Sequence, residues 1–264
     1  NRSRSVIYAS TPSADSEPAL LTSSSASEYA PSFLPGTDKI VFLAPEENGS
    51  GAMQIWSMNA DGTGRKQVSF EAEGVDDYLF SPCGNKVILI KGVAHEASIQ
   101  KNDEDLALST GIVANDLMYR HWDHYTKSAP HPFVADFDGN KVSGAKDLLE
   151  GEPYESPMLP FGGAEQLAWS PDGKQIAYTC RKLSGIDYAI STDSDIFLYD
   201  IESGETKNLC KPEGYVRPVC DPTRSLKNQA VNQFQEDVNA GYDQNPQFSP
   251  NGKYIAWSSM ERDG

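Results

Sequence analysis

The residue types best suited to chemistry are concentrated in one segment, residues 92–131, which we call the arm. All four histidines of the chain lie there, and "YRHWDHY", residues 119–125, combines three aromatic rings, an arginine, an aspartate and two histidines. Imidazole and carboxylate groups can bind zinc, and that interpretation would use His121, Asp123, His124 and His131. In an extended segment, residues three apart point to opposite faces, so this spacing argues against a metal site.

Two other interpretations of the arm stay open. In the first, its aromatic rings dock the arm on the rest of the fold, and Arg120 pairs with Asp123. In the second, the arm binds a ligand, since segments that depart from a regular scaffold often carry function. The substrate-binding residues that this second interpretation predicts are Tyr119, Arg120, His121, Trp122 and Asp123.

Motifs for catalysis are missing from the sequence. There is no G-x-S-x-G, and the nearest string, "NGSG", lacks its first glycine. A P-loop and a dinucleotide fingerprint are also missing. "DFDGN", residues 136–140, has the start of a calcium loop but not its downstream bidentate glutamate. We therefore predict no catalytic residue, no metal and no cofactor in this chain.

The charge balance limits the partners. The chain has 264 residues, with 22 basic and 38 acidic ones, and a formal net charge of -16. Such a surface repels phosphate backbones and anionic lipids, which argues against nucleic acid and membrane partners. The apolar runs are too short to span a bilayer. The first residues, "NRSRSVIYAS", contain no apolar signal core, so we expect any export signal to have been removed.

The four cysteines leave two alternatives. None of them has the C-x-x-C spacing of a zinc site or a redox pair. Cys210 and Cys220 enclose a short loop that contains Pro212, Gly214 and Pro218. They form a disulfide if the protein works in an oxidising compartment, and otherwise they are buried thiols.

A ten-residue pattern recurs along the chain. It reads "FSPCGNKVIL" at residues 80–89, "WSPDGKQIAY" at 169–178 and "FSPNGKYIAW" at 248–257, with a looser copy, "FLPGTDKIVF", at 33–42. An aromatic residue ends one strand, proline and glycine form a tight turn, and an alternating run starts the next strand. The loose copy places Gly36 directly after Pro35, which predicts a different turn.

In chain order, each of the first three copies, at residues 33–42, 80–89 and 169–178, is followed by a predicted β-hairpin. These hairpins occupy residues 54–70, 132–151 and 195–209, each with a glycine-containing turn. One copy and one hairpin together supply four strands. Phe33 and Phe80 are separated by about one blade period of 40–45 residues. The sequence thus predicts an all-β protein, a β-propeller with four-stranded blades, and a two-sheet sandwich is the alternative.

The repeats also predict the domain organisation. Full blades are expected near residues 28–70, 75–151 and 163–211, with a leading fragment around "SVIYAS" and a half-blade from Tyr242. Residues 1–264 would then hold about four of seven or eight blades, with insertions at 92–131 and 211–241. An open arc of blades exposes strand edges, so we expect the chain to be part of a longer polypeptide.

These residues resemble a known family. The "W/F-S-P-D/N-G-K" turns, followed by "IWSMNADGTG" or "IFLYDIESGE", are similar to the propeller repeats of the prolyl oligopeptidase family and of the Tol-system propeller protein. "MYRHWDHY" followed by "HPFVADFDG" is similar to the dipeptidyl-peptidase and acylaminoacyl-peptidase branch of bacterial periplasms. The resemblance covers essentially the whole chain. It implies that the chain is the N-terminal propeller domain of such a protein.

The resemblance implies a function as well. In that family a non-catalytic propeller gates access to a C-terminal α/β-hydrolase domain, which carries the serine, aspartate and histidine and would lie outside this chain. The implied partners are a peptide substrate and that hydrolase domain, and a homodimer is left open. The implied location of the protein is the bacterial periplasm or, in secreted form, the cell exterior. A Tol-like propeller that docks another protein is the alternative. Dipeptidyl peptidases present adjacent glutamates to the substrate amine; this arm has none, and Asp123 is the residue that could replace them.

Overall fold

The computed structural model describes residues 3–216 and 241–260, apart from residues 14, 23–24, 48–50, 95–116, 118–119, 122–123 and 127. This part of the chain is nearly all β-structure, with one short α-helix and a single turn of 3-10 helix. None of its helices has the length and apolar character needed to cross a membrane. The chain divides into two compact units. Unit 1 contains residues 1–91 and 133–147, and unit 2 contains residues 92–132 and 148–264.

The predicted four-stranded sheets are present. A small sheet contains β1 (Tyr8–Ala9) and β2 (Ala19–Leu20). Blade 1 contains, in order, β3 (Tyr29–Phe33), β4 (Ile40–Pro45), β5 (Met53–Met58) and β6 (Lys66–Gln67). Blade 2 contains β7 (Asp77–Phe80) and β8 (Lys86–Val93); the arm follows, with β9 (Arg120–His121) and β10 (His124–Tyr125) as a separate ribbon, and β11 (Ala129–Phe137) and β12 (Val142–Asp147) complete the blade.

Blade 3 and a final strand pair belong to unit 2. Blade 3 contains β13 (Leu167–Trp169), β14 (Gln175–Cys180), β15 (Asp195–Asp200) and β16 (Thr206–Asn208). The helix α1 (Gly185–Ile190), which the sequence did not predict, lies between β14 and β15. A two-stranded sheet follows, made of β17 (Tyr242–Phe248) and β18 (Ile255–Met260). The three blades and the trailing half-blade thus fall where the repeats predicted them.

Blade 1 buries both of its faces. Along β4, Val41 and Leu43 enter one core cluster, which they share with β7 and β8 of blade 2. Phe42 and Ala44 point the other way, into a second cluster with Trp56 of β5. A sheet in a two-layer sandwich buries only one face, whereas a propeller blade is covered on both. The burial pattern therefore favours the propeller over the sandwich.

The tight turns are held by a repeated set of hydrogen bonds. In blade 3 the Gly173 amide donates to the Ser170 carbonyl at 2.9 Å, and the Ser170 hydroxyl donates to Asp172 Oδ1 at 2.6 Å. The amides of Lys174 and Gln175 donate to the hydroxyl oxygen of Ser170. These bonds satisfy polar groups that neither strand can pair. All of these bonds join residues within 170–175, so the turn depends on local sequence.

Two of the turns depart from that pattern in instructive ways. In blade 2, Cys83 occupies the aspartate position, and the Ser81 hydroxyl donates instead to Asn85 Oδ1 at 3.3 Å. In blade 1 the Thr37 amide donates to the Leu34 carbonyl, so Gly36, with φ of 76°, is the third residue of its turn. In the tight copies the glycine is the fourth. The different turn predicted for the loose copy is confirmed.

Each blade has two unlike edges. Here an edge means the side of the blade where its strands end, not an outermost strand. Because four consecutive antiparallel strands alternate in direction, their first and third connections lie at one such edge and the second connection lies at the opposite one. We call these the corner edge and the loop edge. In blade 3 the corner edge carries residues 170–174 and 201–205, and the loop edge carries residues 181–194. The arm, which connects β8 to β11, is at the loop edge of blade 2.

Candidate functional site

The arm folds back on itself where its described residues form strands. β9 and β10 are antiparallel, with Arg120 opposite Tyr125 and His121 opposite His124. This corrects the extended segment assumed in the sequence interpretation, because β9 and β10 run in opposite directions. Both Arg120 and Tyr125 are exposed. Tyr119, Trp122 and Asp123 lie outside the described residues, so the five-residue substrate site stays a prediction.

Two other sequence candidates have structural surroundings. His131 lies on β11 and is 1% exposed, so its side chain is buried in the protein interior. Asp138, in the string that resembles a calcium loop, accepts hydrogen bonds from the amides of Asn140 and Lys141 at 2.8 and 2.7 Å. These bonds lower the pKa of the Asp138 carboxyl and form the turn between β11 and β12. The hairpin interpretation is therefore confirmed at this position.

The loop edge of blade 3 carries paired charges around α1. Arg181 Nη2 lies 3.4 Å from Glu155 Oε1, and the Arg181 guanidinium lies 4.2 Å from the ring centre of Tyr188 in α1. Burial, together with the nearby Glu155 charge, raises the pKa of Tyr188 to about 12. The adjacent Lys182 pairs with Glu152 at 2.6 Å. Arg181 thus contacts both the helix and the connection that precedes blade 3.

A second set of charges is buried beside this one. Lys211 Nζ lies 3.2 Å from Asp193 Oδ1 and 3.2 Å from Asp195 Oδ1. Asp243, at the start of β17, is fully buried, and half-buried Cys210 lies next to Lys211 in the chain. We call these five residues the polar joint. They come from three stretches, at the start of β15, after β16 and at the start of β17.

The environment of the polar joint changes how its groups titrate. Burial raises the pKa of Asp195, although the nearby Lys211 acts in the opposite direction. Burial also raises the pKa of the Cys210 thiol to about 12, despite a hydrogen bond from the Ile196 amide to its sulfur at 3.3 Å. Atoms of Asp195, Cys210 and Asp243 lie within 4.8 Å of one another. The Lys211 ammonium is paired with Asp195, and we assign no metal to the joint.

Nucleophilic chemistry has little support in the described residues. Cys180 is completely buried, and that burial raises its pKa. A thiol must be a thiolate to attack, so Cys180 and Cys210 are both poor nucleophiles. Cys220 lies outside the described residues, so its disulfide with Cys210 stays a prediction. A cleft of about 470 Å³ opens beside Lys211 and is lined by residues between Thr206 and Tyr215.

Sequence reasoning missed both the helix and the polar joint. α1 is only six residues long and has no side-chain cap, so it leaves no periodic signal. The joint had one weak signal: Asp193 and Asp195 alternate at the start of a strand and so point to the same side. Nothing in the sequence connects them to Lys211 or to Asp243.

Comparison with known proteins finds relatives named dipeptidyl-peptidase 5, the kind of protein that the sequence resemblance indicated. No protein-family model matches the sequence. Dipeptidyl-peptidase 5 of Porphyromonas gingivalis is 41% identical over 244 residues, which is 92% of this chain. Dipeptidyl-peptidase 5 of Porphyromonas endodontalis is 37% identical over the same length. The chain spans about 31% of the length of these relatives.

A solved structure supports the fold. The acylaminoacyl peptidase of Pyrococcus horikoshii matches 75% of this chain and 27% of its own, with a TM-score of 0.50 and 18% sequence identity. Together with the four-stranded sheets and the burial of both faces of blade 1, this likeness shows that the chain is a partial β-propeller. Its homologues are dipeptidyl-peptidase 5 proteins, which it matches over about a third of their length. The predicted resemblance to the bacterial dipeptidyl-peptidase branch is confirmed.

Proposed function

We propose that this chain is the non-catalytic propeller part of a dipeptidyl-peptidase-like serine exopeptidase. It limits access to the active site and positions the amino end of a peptide substrate. The serine, aspartate and histidine belong to a hydrolase domain of the same polypeptide. We also propose a periplasmic or secreted location, as the resemblance implies. Fractionation of cells with an antibody against the chain tests the location.

One observation carries the proposal: 41% identity to a dipeptidyl-peptidase 5 over 92% of this chain, which spans only 31% of that relative. Identity at this level over so many residues supports a shared role. The short span leaves room for a separate catalytic domain. The lack of a nucleophile motif in the sequence agrees with a supporting role for this part.

The loop edges are the surfaces suited to substrate contact. The arm leaves blade 2 at its loop edge and exposes Arg120 and Tyr125. In unit 2, the connection before blade 3 exposes Phe161, and α1 exposes Ile186. The blade 3 corner edge, by contrast, has short turns whose side chains satisfy their own backbone. A peptide would therefore meet varied apolar and charged side chains at the loop edges.

The main experiment uses the full-length polypeptide. We expect it to release chromophore from dipeptidyl nitroanilides, and we expect kcat/KM to fall as the peptide after the dipeptide becomes longer. This chain alone should be inactive on the same substrates. Activity of the isolated chain, or equal rates for short and long peptides, would contradict the supporting and gating roles.

The arm can be tested with a matched pair of variants. Arg120→Ala removes an exposed cation from the arm, and Lys253→Ala removes one from the corner between β17 and β18. We expect only the arm variant to raise KM for dipeptidyl substrates, by about tenfold if a charge-assisted contact is lost. Asp123→Asn should raise KM for free-amine substrates more than for N-acylated ones. Equal effects on both substrate types would remove Asp123 from amine recognition.

The docking alternative makes a different prediction. A Tol-like propeller would bind a protein partner and would need no hydrolase domain. If the full-length polypeptide cleaves no dipeptidyl or N-acyl substrate but captures a stable protein partner, the docking role replaces the peptidase role.

A further inference from the structure

The corner between β17 and β18 carries the dipeptide Asn251-Gly252, in which the asparagine side chain can react with the backbone that follows it. The reaction begins when the Gly252 nitrogen attacks the side-chain carbonyl carbon, and glycine leaves that nitrogen unshielded because it has no Cβ. Both residues are exposed. A Cβ built on Gly252 would lie 3.6 Å from the nearest atom beyond its adjacent residues. The corner is therefore open to the water that the reaction consumes.

Two hydrogen-bond donors fix the carbonyl group of the Asn251 side chain. The Ser249 hydroxyl donates to Asn251 Oδ1 at 2.8 Å, and the Lys253 amide donates to the same oxygen at 3.0 Å. When a nitrogen attacks the carbonyl carbon, negative charge develops on this oxygen. Donors that already point at the oxygen stabilise that charge, so the corner favours the first step.

One contact in the corner opposes the reaction. The Gly252 amide donates to the Ser249 carbonyl at 2.8 Å, and this bond must break before the nitrogen can lose its proton and attack. The net contribution of one such bond is small in water, so breaking it slows the attack by about tenfold at most. The folded corner therefore slows the reaction but does not prevent it.

The corner of blade 3 shows how the product would fit. It has Asp172 where this corner has Asn251, and Asp172 Oδ1 accepts from the Ser170 hydroxyl at 2.6 Å and from the Lys174 amide at 3.1 Å. The glycines that follow have φ of 70° and 69°, so the two backbones match. In blade 3 these bonds lower the pKa of the Asp172 carboxyl. An aspartate in place of Asn251 would meet the same donors, which favour the carboxylate.

We propose that Asn251 is a self-modification site, at which the folded protein converts asparagine to aspartate. The Gly252 nitrogen bonds to the side-chain carbonyl carbon and ammonia leaves, which closes a succinimide ring. Water then adds to that carbon, the ring bond to nitrogen breaks, and a proton returns to the Gly252 nitrogen. The change adds one negative charge and gives this corner the acceptor found in blade 3. The proposal is independent of the peptidase role.

Peptide mapping by mass spectrometry tests the proposal in the full-length polypeptide. The protein is held in mildly alkaline buffer at physiological temperature for several weeks, either folded or in urea, and the peptide that contains residues 248–257 is followed. We expect the folded protein to convert Asn251 about tenfold more slowly than the unfolded chain. Normal aspartate should be its main product, since isoaspartate adds an atom to the backbone and breaks the corner. Electron-transfer fragmentation distinguishes the two products.

Asn85 is a matched control within the same sample. It is also an exposed corner asparagine that accepts a serine hydroxyl, but Lys86 follows it, and the Cβ of that lysine shields the backbone nitrogen. We expect Asn85 to stay unchanged while Asn251 converts. The proposal is overturned if Asn251 does not convert in the folded protein, if the two asparagines convert equally, or if isoaspartate is the main product of the folded protein.

A second measurement asks whether the corner accepts the product. Asn251→Asp should unfold at the same urea concentration as the wild type or at a higher one, because a charged acceptor forms stronger hydrogen bonds. Asn251→Leu has no acceptor and should unfold at a lower urea concentration than the wild type. If Asn251→Asp unfolds at a lower concentration than the wild type, the folded corner does not accommodate aspartate and the proposal is wrong.

Discussion

β15 begins and ends with an aspartate, and the two residues show how differently the edges of one blade are built. Asp195, at the loop edge, is paired with the buried Lys211, and burial raises its pKa. Asp200, at the corner edge, accepts hydrogen bonds from the amides of Ser203 and Glu202, and these bonds lower its pKa. The same residue type in the same strand is thus shifted in opposite directions.

The difference teaches where each edge gets its stability. At the corner edge, the hydrogen bonds that the Asp200 carboxylate accepts within its turn come from residues no more than three positions away. At the loop edge, Asp195 depends on Lys211 from after β16 and lies near Asp243 from β17. A local turn forms wherever its sequence occurs, whereas a joint between distant segments forms only once the chain has folded. Substitutions should therefore lower the free energy of unfolding most at the loop edge.

The largest effect is expected when the joint loses its cation. Lys211→Met keeps much of the buried volume but removes the ammonium that pairs with Asp193 and Asp195. Breaking a buried ion pair by removing one partner costs about 3–5 kcal/mol. Urea denaturation gives the free energy of unfolding, provided that the slope of the transition is unchanged.

A matched substitution on the exposed strand nearby provides the control. Lys207→Met, on β16, removes an exposed ammonium and should change the free energy of unfolding by less than about 0.5 kcal/mol. If the two variants lose similar stability, the contrast between buried joint and exposed surface is wrong.

An intermediate effect is expected from two corner glycines with nearly the same backbone. Gly84 and Gly252 have φ of 67° and 69°, so alanine costs about 1–2 kcal/mol at either position. A Cβ at Gly84 would also lie 2.9 Å from the Pro35 carbonyl oxygen, whereas at Gly252 the nearest atom, in Pro171, is 3.6 Å away. Gly84→Ala should therefore lose more stability than Gly252→Ala. Thermal denaturation of both variants measures the difference, and equal losses would refute the role of the clash.

The smallest effect concerns the altered corner of blade 2. Asn85→Lys removes the acceptor of the Ser81 hydroxyl and should cost about 0.5–1.5 kcal/mol. Adding Cys83→Asp restores an acceptor at the position used in blade 3, so the double variant should recover most of the loss. A double-mutant cycle from urea denaturation measures this coupling. Independent effects of the two changes would show that the acceptor cannot move between these positions.

The fold was largely predictable because its signals are short-range. The proline and glycine of each corner, such as Pro171 and Gly173, fix the turn whatever surrounds it. The alternating runs beside them then give the strands. Even the odd turn at Gly36 could be read from its one-residue shift. Repetition strengthened each of these signals, since one copy supports the interpretation of the next.

The candidate sites were less predictable because their partners are distant in sequence. Lys211 gains its meaning only from Asp193 and Asp195, which no motif connects to it. The arm gave a strong compositional signal, but composition could not show that Arg120 and Tyr125 would face each other across a ribbon. The regular part of a repeat protein is thus readable from sequence, and its connections are much less so.

The unequal connections at the loop edge bear on how such a protein can diversify. The second connection is short in blade 1, residues 46–52, longer in blade 3, residues 181–194, and longest in blade 2, residues 94–128. Closing a loop five times longer costs only about 1–1.5 kcal/mol of entropy, less than one well-packed core residue contributes. Evolution can therefore exchange whole connecting segments here at little thermodynamic cost. A protein engineer who grafts foreign peptides between Pro45 and Met53 would be using the same freedom.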